Sequence, residues 1–246
     1  GKKIVYVGDD AGAEAYKGPE TEIIDLEGRL MLPGLIEAHA HPMHLIGAVC
    51  GVDITNCKTV EEYLATIKAY AEAHPERQII NGVGWMPDFF ENGRPTKEAL
   101  DSVVPDRPVC LLSADVFHYW VNSKMLELAG IDANTPDIEK GGAIWRDENG
   151  NPTGYLEEIG GQYLLQQRVD LFAPEEYEAC MRYYQEMSNS LGITAIHDAA
   201  IENPEHTLNA FLSLAKKGEL TVRLRKDMLA RELPGTPRLD DALDIL

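Results

Sequence analysis

The stretch LMLPGLIEAHAHP at residues 30–42 decides how this chain is interpreted. It begins with apolar residues, breaks at a Pro-Gly pair and ends with three polar residues spaced two apart, Glu37, His39 and His41. Because side chains alternate between the two faces of a strand, we expect these three to project together. Two imidazoles so placed can both reach one metal ion at about 2.0–2.1 Å. The stretch predicts a metal site at a strand end; two structural histidines, hydrogen-bonded there, are the alternative.

Charge and cysteine content narrow the class of protein. The 246 residues include 41 acidic and 22 basic ones, for a net charge of −19. Nucleic acids and anionic membrane surfaces bind basic patches, so we expect neither as a partner. The sequence shows no apolar run of membrane-spanning length and no signal peptide at its start, which favours a cytoplasmic protein. The four cysteines form no C-x-x-C pair and are expected to be free thiols.

Periodicity, capping residues and turn residues predict alternating strands and helices. Strands are predicted at 3–8, 21–26, 30–41, 78–83, 108–113, 193–198 and 220–224. Helices are predicted at 59–74, 96–102, 123–129, 156–169, 174–190, 204–217 and 239–246. The Asn149-Gly150 pair predicts a hairpin between 141–145 and 153–157. The segment between the first buried strand and the strand at 193–198 is too long for a simple connection, so we expect a structured insertion.

Three motifs in the right order carry a family resemblance. PGLIEAHAH at 33–41 resembles the first-strand signature of the amidohydrolase superfamily, with Leu35 and Glu37 as mild departures. RPVCLLSADVFHYWVNSKMLELAGI at 107–131 and GGAIWRDENGNPTGYLEE at 141–158 resemble a narrower group, the amidohydrolase family 3 branch of N-substituted formamide deformylases. The resemblance covers nearly the whole chain.

The resemblance implies an α/β fold, a partial (β/α)8 TIM-like barrel. It further implies part of a small β-lobe at 1–29, barrel strand one with its His-x-His pair at 30–44, and a large α+β insertion at 45–190. Barrel strands two and three, with their helices, would occupy 191–246. The later metal ligands of the family have no counterpart before Leu246, so the chain resembles the N-terminal half of such an enzyme.

The resemblance also implies a chemistry. It indicates hydrolysis of a non-peptide, amide-like C–N bond by metal-activated water, with one or two divalent ions, zinc first and manganese or iron as alternatives. His39 and His41 are the expected ligands, with Glu37 orienting the site from behind them. No catalytic residue is expected in this chain, because the general-base Asp would lie beyond Leu246.

Three further residues are substrate-binding candidates by the same resemblance: His118, Glu158 and Trp85. Each has a structural alternative: a packed histidine, a carboxylate at a helix start and a core tryptophan, respectively. His197 and Asp198, at the end of the strand at 193–198, could be ligands, but a hydrogen-bonded pair closing a turn is favoured.

Two functional hypotheses remain at this point. The first is part of a metal-dependent hydrolase that acts on a small molecule. The second is a non-catalytic, truncated relative that binds a small molecule or a partner. Three barrel strands cannot close, so we also expect a homodimer or a second chain that supplies the rest of the barrel.

Overall fold

A computed structural model describes residues 3–136, 138, 141–199 and 204–227, with only the backbone considered at 159 and 204. The chain divides into two compact units, Gly1–Pro33 and Gly34–Leu246. The α-helices are α1 Asp10–Ala13, α2 Ile46–Cys50, α3 Val60–Ala73, α4 Lys97–Asp101, α5 Ser123–Ala129, α6 Glu158–Gln166, α7 Pro174–Ser190 and α8 Pro204–Lys217. Short 3-10 helices occupy Glu14–Tyr16, Pro42–Leu45, Pro87–Phe89 and Glu91–Gly93.

The strands of the second unit form two sheets. They are β1 Leu35–Ala40, β2 Val52–Asp53, β3 Ile80–Trp85, β4 Val109–Ser113, β5 Tyr119–Val121, β6 Ala143–Arg146, β7 Pro152–Glu157, β8 Ile193–Asp198 and β9 Arg223–Lys226. The first sheet is parallel with the order β1-β8-β9, and the second has the order β2-β3-β4-β5-β7-β6. In the second sheet β2, β3 and β4 run parallel, whereas β5, β6 and β7 pair antiparallel.

The parallel sheet contains β1, the strand that carries His39. β1 pairs with β8, and β8 with β9, so strands distant in sequence become neighbours, as βαβ units require. α7 and α8 cover one face of this sheet, and a core that includes Ile196, Met181 and Leu214 lies between the layers. The fold class is therefore α/β with a parallel sheet.

The second sheet lies in the long segment between β1 and β8. One of its faces packs against α3 around Trp85, Trp120 and Tyr63. The other face packs against α5 and α6 around Met125, Leu156 and Leu165. The predicted domain boundaries at 45 and 190 both fall inside the second compact unit.

Local sequence signals placed most helix ends correctly. The Thr59 hydroxyl accepts the Glu62 amide N–H at the start of α3, as the capping motif predicted. α5 begins at the Asn122 cap and ends at Gly130, whose φ of 61° suits glycine. The hairpin of β6 and β7 turns at Gly150, with φ 83°. α6 starts later than predicted because β7 continues through Glu157.

The two strands predicted at 3–8 and 21–26 are wrong. Among described residues 3–33 there is no strand, only α1 and one 3-10 turn. Apolar residues alone do not make a strand, because each backbone N–H and C=O must also find a neighbouring strand. Val5 and Ile24 are accordingly 73% and 71% exposed.

Smaller corrections concern strand limits. β1 spans Leu35–Ala40 rather than 30–41, and β9 spans Arg223–Lys226 rather than 220–224. The predicted helix at 239–246 lies outside the described residues. Within the described part of the chain, no helix is both long enough and apolar enough to cross a bilayer.

Candidate functional site

The two histidines of the opening motif lie side by side at the C-terminal end of β1. Their ring centroids are 5.1 Å apart and the rings meet edge to face, at 82°. Two imidazoles bound to one tetrahedral ion at about 2.0–2.1 Å would have centroids about 5 Å apart. The separation of His39 and His41 is thus compatible with a shared cation, and the rings do not point to opposite sides of the strand.

A metal site needs more than this pair. Catalytic zinc sites generally use three protein ligands. Among the described residues, no group of three or more His, Cys, Asp or Glu side chains is arranged to hold an ion. Imidazole nitrogen is nevertheless a donor that suits zinc, so His39 and His41 fit as two ligands of a larger set.

Glu37 contacts the main chain near the end of β1. Its Oε1 accepts the backbone N–H of His39 at 3.1 Å. This bond lies within one strand and restrains the backbone that carries the histidine. The orienting role expected for Glu37 toward a metal site stays a prediction.

His44 is a third imidazole, for which the sequence indicates only a surface or helix position. It is half-buried on the 3-10 helix Pro42–Leu45, and its ring stacks on His41 with centroids 4.9 Å apart and an angle of 18°. Parallel stacked rings do not aim nitrogens at one point, so the contact is packing. The signal that could have found it is the three-residue spacing from His41, because a 3-10 turn superposes such residues.

His118 and Glu158 meet at one end of the paired strands β5 and β7, although forty positions separate them in sequence. The backbone N–H of Glu158 donates to Nδ1 of His118 at 3.2 Å. Because Nδ1 accepts, a neutral ring carries its proton on Nε2, which lies 3.7 Å from Oδ2 of Asp115. Glu158 therefore acts on His118 through its main chain, whereas its own side chain is exposed.

Two residues near His118 have energetically unfavourable backbone conformations. Val116 has φ 63° and Glu158 has φ 59°, values that a branched or bulky residue rarely adopts. Gln162 Nε2 donates to the Val116 carbonyl at 2.7 Å and restrains this loop. Backbone strain of this kind persists only where surrounding contacts impose it, and it concentrates at functional sites.

Trp85 does not provide the pocket wall predicted for it. Its side chain is completely buried, and its indole N–H donates to the Leu111 carbonyl at 2.9 Å. A side chain with no exposed surface cannot touch a substrate directly. Trp85 instead packs behind His118, with ring centroids 6.3 Å apart.

Tyr155 also borders His118, at 5.3 Å between centroids. Burial, assisted by the nearby Glu157 carboxylate, raises the pKa of Tyr155 to about 12. Its hydroxyl is therefore neutral near pH 7 and can donate a hydrogen bond.

His197 and Asp198 do not pair with each other, contrary to the favoured prediction. His197 Nε2 lies 2.8 Å from Oδ2 of Asp227, whereas Asp198 lies 3.0 Å from the ammonium of Lys226. Successive strand residues face opposite sides of a sheet, which explains why their partners differ. Asp198 and Lys226 face the helix layer, where the ammonium also contacts the Phe211 ring.

A cavity of about 50 Å³ lies between the turn after β1, the centre of the second sheet and the segment joining α6 to α7. His44 lines it, so the ring stacked on His41 forms part of its wall. Of the described residues that line the cavity, none is His39, His41, His118, Glu158 or Trp85.

The chain is similar to known proteins along most of its length. The profile of the Amidohydrolase family matches residues 22–243. The exoenzymes regulatory protein AepA of Pectobacterium carotovorum subsp. carotovorum is 34% identical over 226 residues, covering 89% of this chain and 48% of that protein. The N-substituted formamide deformylase of Arthrobacter pascens is 30% identical, with 82% of this chain and 38% of that protein covered.

A solved structure adds a similarity in three dimensions. An uncharacterised metal-dependent hydrolase from Pyrococcus furiosus matches with a TM-score of 0.63 and 27% identity, over 91% of this chain and 43% of that one. The chain therefore spans half or less of the length of each of these relatives.

Proposed function

Because the chain belongs to the amidohydrolase family, we propose that it forms part of a metal-dependent hydrolase that cleaves a non-peptide, amide-like C–N bond with activated water. The observation that carries this proposal is the 5.1 Å separation of the His39 and His41 rings at a parallel strand end. α/β barrels place their catalytic groups at that end of the strands. A non-catalytic binding protein is the less favoured alternative, because the family relation supports a hydrolase.

The polar residues of the opening motif have defined tasks under this proposal. His39 and His41 hold a divalent cation, with zinc first and manganese or iron as alternatives, and Glu37 restrains the backbone of His39. A cation there would lower the pKa of water and polarise a carbonyl. We assign the general base and the remaining ligands to none of the described residues.

His118 is the proposed contact for the substrate in the second sheet. Its Nε2 proton can be donated to a substrate carbonyl, since Nδ1 is occupied by the Glu158 amide. The substrate is a small molecule. The name of the Arthrobacter relative makes N-substituted formamides the first compounds to test.

Metal binding is the first test. The purified chain, stripped with a chelator, is titrated with Zn²⁺ in a calorimeter. We expect weak, saturable binding of one ion, because the described residues supply only two of the ligands that a tight site uses. His39→Ala and His41→Ala should each abolish it, whereas the control His74→Ala, at the end of α3, should bind as the unmodified chain does. No binding, or equal binding by all variants, contradicts the proposal.

Catalysis is the second test. The chain is assayed for formate release from N-substituted formamides, alone and together with a polypeptide that supplies the rest of the barrel. We expect turnover only in the reconstituted protein, and its loss on chelation. His118→Gln should raise KM far more than it lowers kcat, since it removes a ground-state contact. Unchanged turnover after complete metal removal would rule out the metal-dependent mechanism.

A further inference from the structure

The cavity beside His44 has mostly apolar walls and one buried polar group that stands out. Its apolar lining includes Met43, Ile46, Leu112, Val169, Leu171 and Phe172. Asn81, on β3, also lines it and is only 6% exposed. Pockets that bind small molecules combine apolar walls with a few placed polar groups in this way.

The orientation of the Asn81 amide follows from its neighbour. Its Nδ2 donates to the backbone carbonyl of Leu171, which can only accept. The amide oxygen must therefore be the other atom, and the assignment does not depend on a choice between two equivalent flips.

The Asn81 Oδ1 atom is buried and accepts no hydrogen bond from any residue in the described part of the chain. Buried polar atoms are nearly always paired, because the loss of water is otherwise uncompensated. A buried acceptor on a residue that lines a cavity calls for a donor in that cavity.

The volume of the cavity limits the size of the group that can bring a hydrogen-bond donor to Asn81. A single water needs about 10–15 Å³, and a cavity of about 150 Å³ accommodates a benzene ring. At about 50 Å³ the space exceeds one water and is too small for an aromatic ring. The cavity is partly open, so a longer ligand can extend outwards from it.

We propose that this cavity binds a short aliphatic group that carries one N–H or O–H donor, with the donor hydrogen-bonded to Asn81 Oδ1. The aliphatic part packs against Leu112 and Val169, and the occupant contacts His44, the ring that stacks on His41. The site is independent of any metal, because its lining contains neither proposed metal ligand.

The test uses two isosteric probes that differ only in the donor: N-methylacetamide, with an N–H, and methyl acetate, with an ester oxygen in its place. Saturation-transfer NMR is recorded on the chain in excess chelator, so the outcome does not depend on the hydrolase proposal. We expect a signal for N-methylacetamide at least fivefold stronger than that for methyl acetate.

Variants locate the site. Leu112→Phe fills the cavity and should abolish the amide signal, whereas Leu128→Phe, at an exposed position on α5, should leave it unchanged. Asn81→Ala removes the acceptor and enlarges the space, so the two probes should bind equally. If Leu112→Phe fails to fold by circular dichroism, Val169→Leu serves as the filling variant. Equal signals for both probes in the unmodified chain, no signal for either, or an amide signal that survives filling would overturn the proposal.

Discussion

At the scale of single residues, Asn122 joins four backbone groups and is completely buried. Its Oδ1 accepts the amide N–H groups of Met125 and Val109, and its Nδ2 donates to the carbonyls of Val104 and Arg107. The side chain thus caps α5 and ties the start of β4 to the preceding loop. Every donor and acceptor of the amide is used.

We predict that Asn122→Ala lowers the free energy of unfolding by about 2–4 kcal/mol, because several buried backbone groups lose their partners. Asn122→Asp should also destabilise, since a carboxylate cannot donate to the two carbonyls. Urea unfolding followed by circular dichroism measures both. The exposed control Asn134→Ala should change stability by less than about 0.5 kcal/mol, and an equally small change in Asn122→Ala would refute this account.

Lys226 gives a prediction about alkaline pH. Burial lowers the pKa of its ammonium from 10.5 to about 8, against the opposing attraction of Asp198. Between about pH 8 and 10.5, this lysine therefore carries its proton in the unfolded chain but not in the folded chain. Stability attributable to Lys226 rises with pH in that window, by up to about 3 kcal/mol.

The measurement compares urea midpoints of the unmodified chain and Lys226→Met from pH 7 to 10.5. As pH rises through that window, the urea midpoint of the unmodified chain should increase relative to that of Lys226→Met. Other titrating groups contribute equally to both proteins and cancel in the comparison. A difference that stays constant with pH would mean that the ammonium is not desolvated.

Single-residue signals in the sequence anticipated part of the site. Strand alternation predicted that His39 and His41 project together, and the helix predicted at 123–129 begins directly after Asn122. The contacts of Asn122 with Val104 and Val109 could not be predicted from local sequence, because these residues belong to a separate segment. The burial of Trp85 and the stacking of His44 likewise depend on packing between elements that no local pattern specifies.

At the scale of elements, the hairpin of β6 and β7 depends on its turn. Gly150 has φ 83°, and no side chain or backbone atom lies within 4 Å of a Cβ added there. A side chain at position 150 would meet no steric clash, so the cost of replacing Gly150 comes from its left-handed backbone conformation alone. Asp147 stabilises the same turn by accepting the amide N–H groups of Asn149 and Asn151.

We predict that Gly150→Ala costs about 1–2 kcal/mol, the penalty of a left-handed conformation for an L-residue. Thermal unfolding of the variant checks this, and Gly18→Ala, at an exposed position without a positive φ, is the control. A midpoint unchanged from the parent chain would show that the hairpin turn can adopt another conformation.

Element type was predictable where the signal was local. Caps, the Asn149-Gly150 turn and Gly130 fixed helix and hairpin limits to within a few residues. The segments 3–8 and 21–26 failed as strands because strand formation needs a neighbour, and their apolar residues carry no information about whether one is present. Pairing of β1 with β8 was likewise beyond local patterns and came from the family resemblance.

At the scale of the whole molecule, β1 presents exposed apolar residues at its start. Leu35 and Ile36 are 56% and 72% exposed, and in the described part of the chain β1 pairs with β8 alone. An open strand edge with apolar side chains is a template for association with another chain.

We predict that the chain self-associates at micromolar concentration unless a partner covers this edge. Size-exclusion chromatography with light scattering measures the mass, and Ile36→Lys should shift it towards the monomer, because charge on an edge strand opposes pairing. The matched control Leu212→Lys, on the exposed side of α8, should not. A stable monomer at high concentration in the unmodified chain contradicts the prediction.

The order of β1 and β8 along the chain has a consequence for biosynthesis. A ribosome adds about 5–20 residues per second, so β1 would wait roughly ten to thirty seconds before its neighbour emerges. During that interval the nascent strand, with His39 and His41 at its end, has no sheet to join. The growing polypeptide is therefore most open to non-native contacts before β8 has been synthesised.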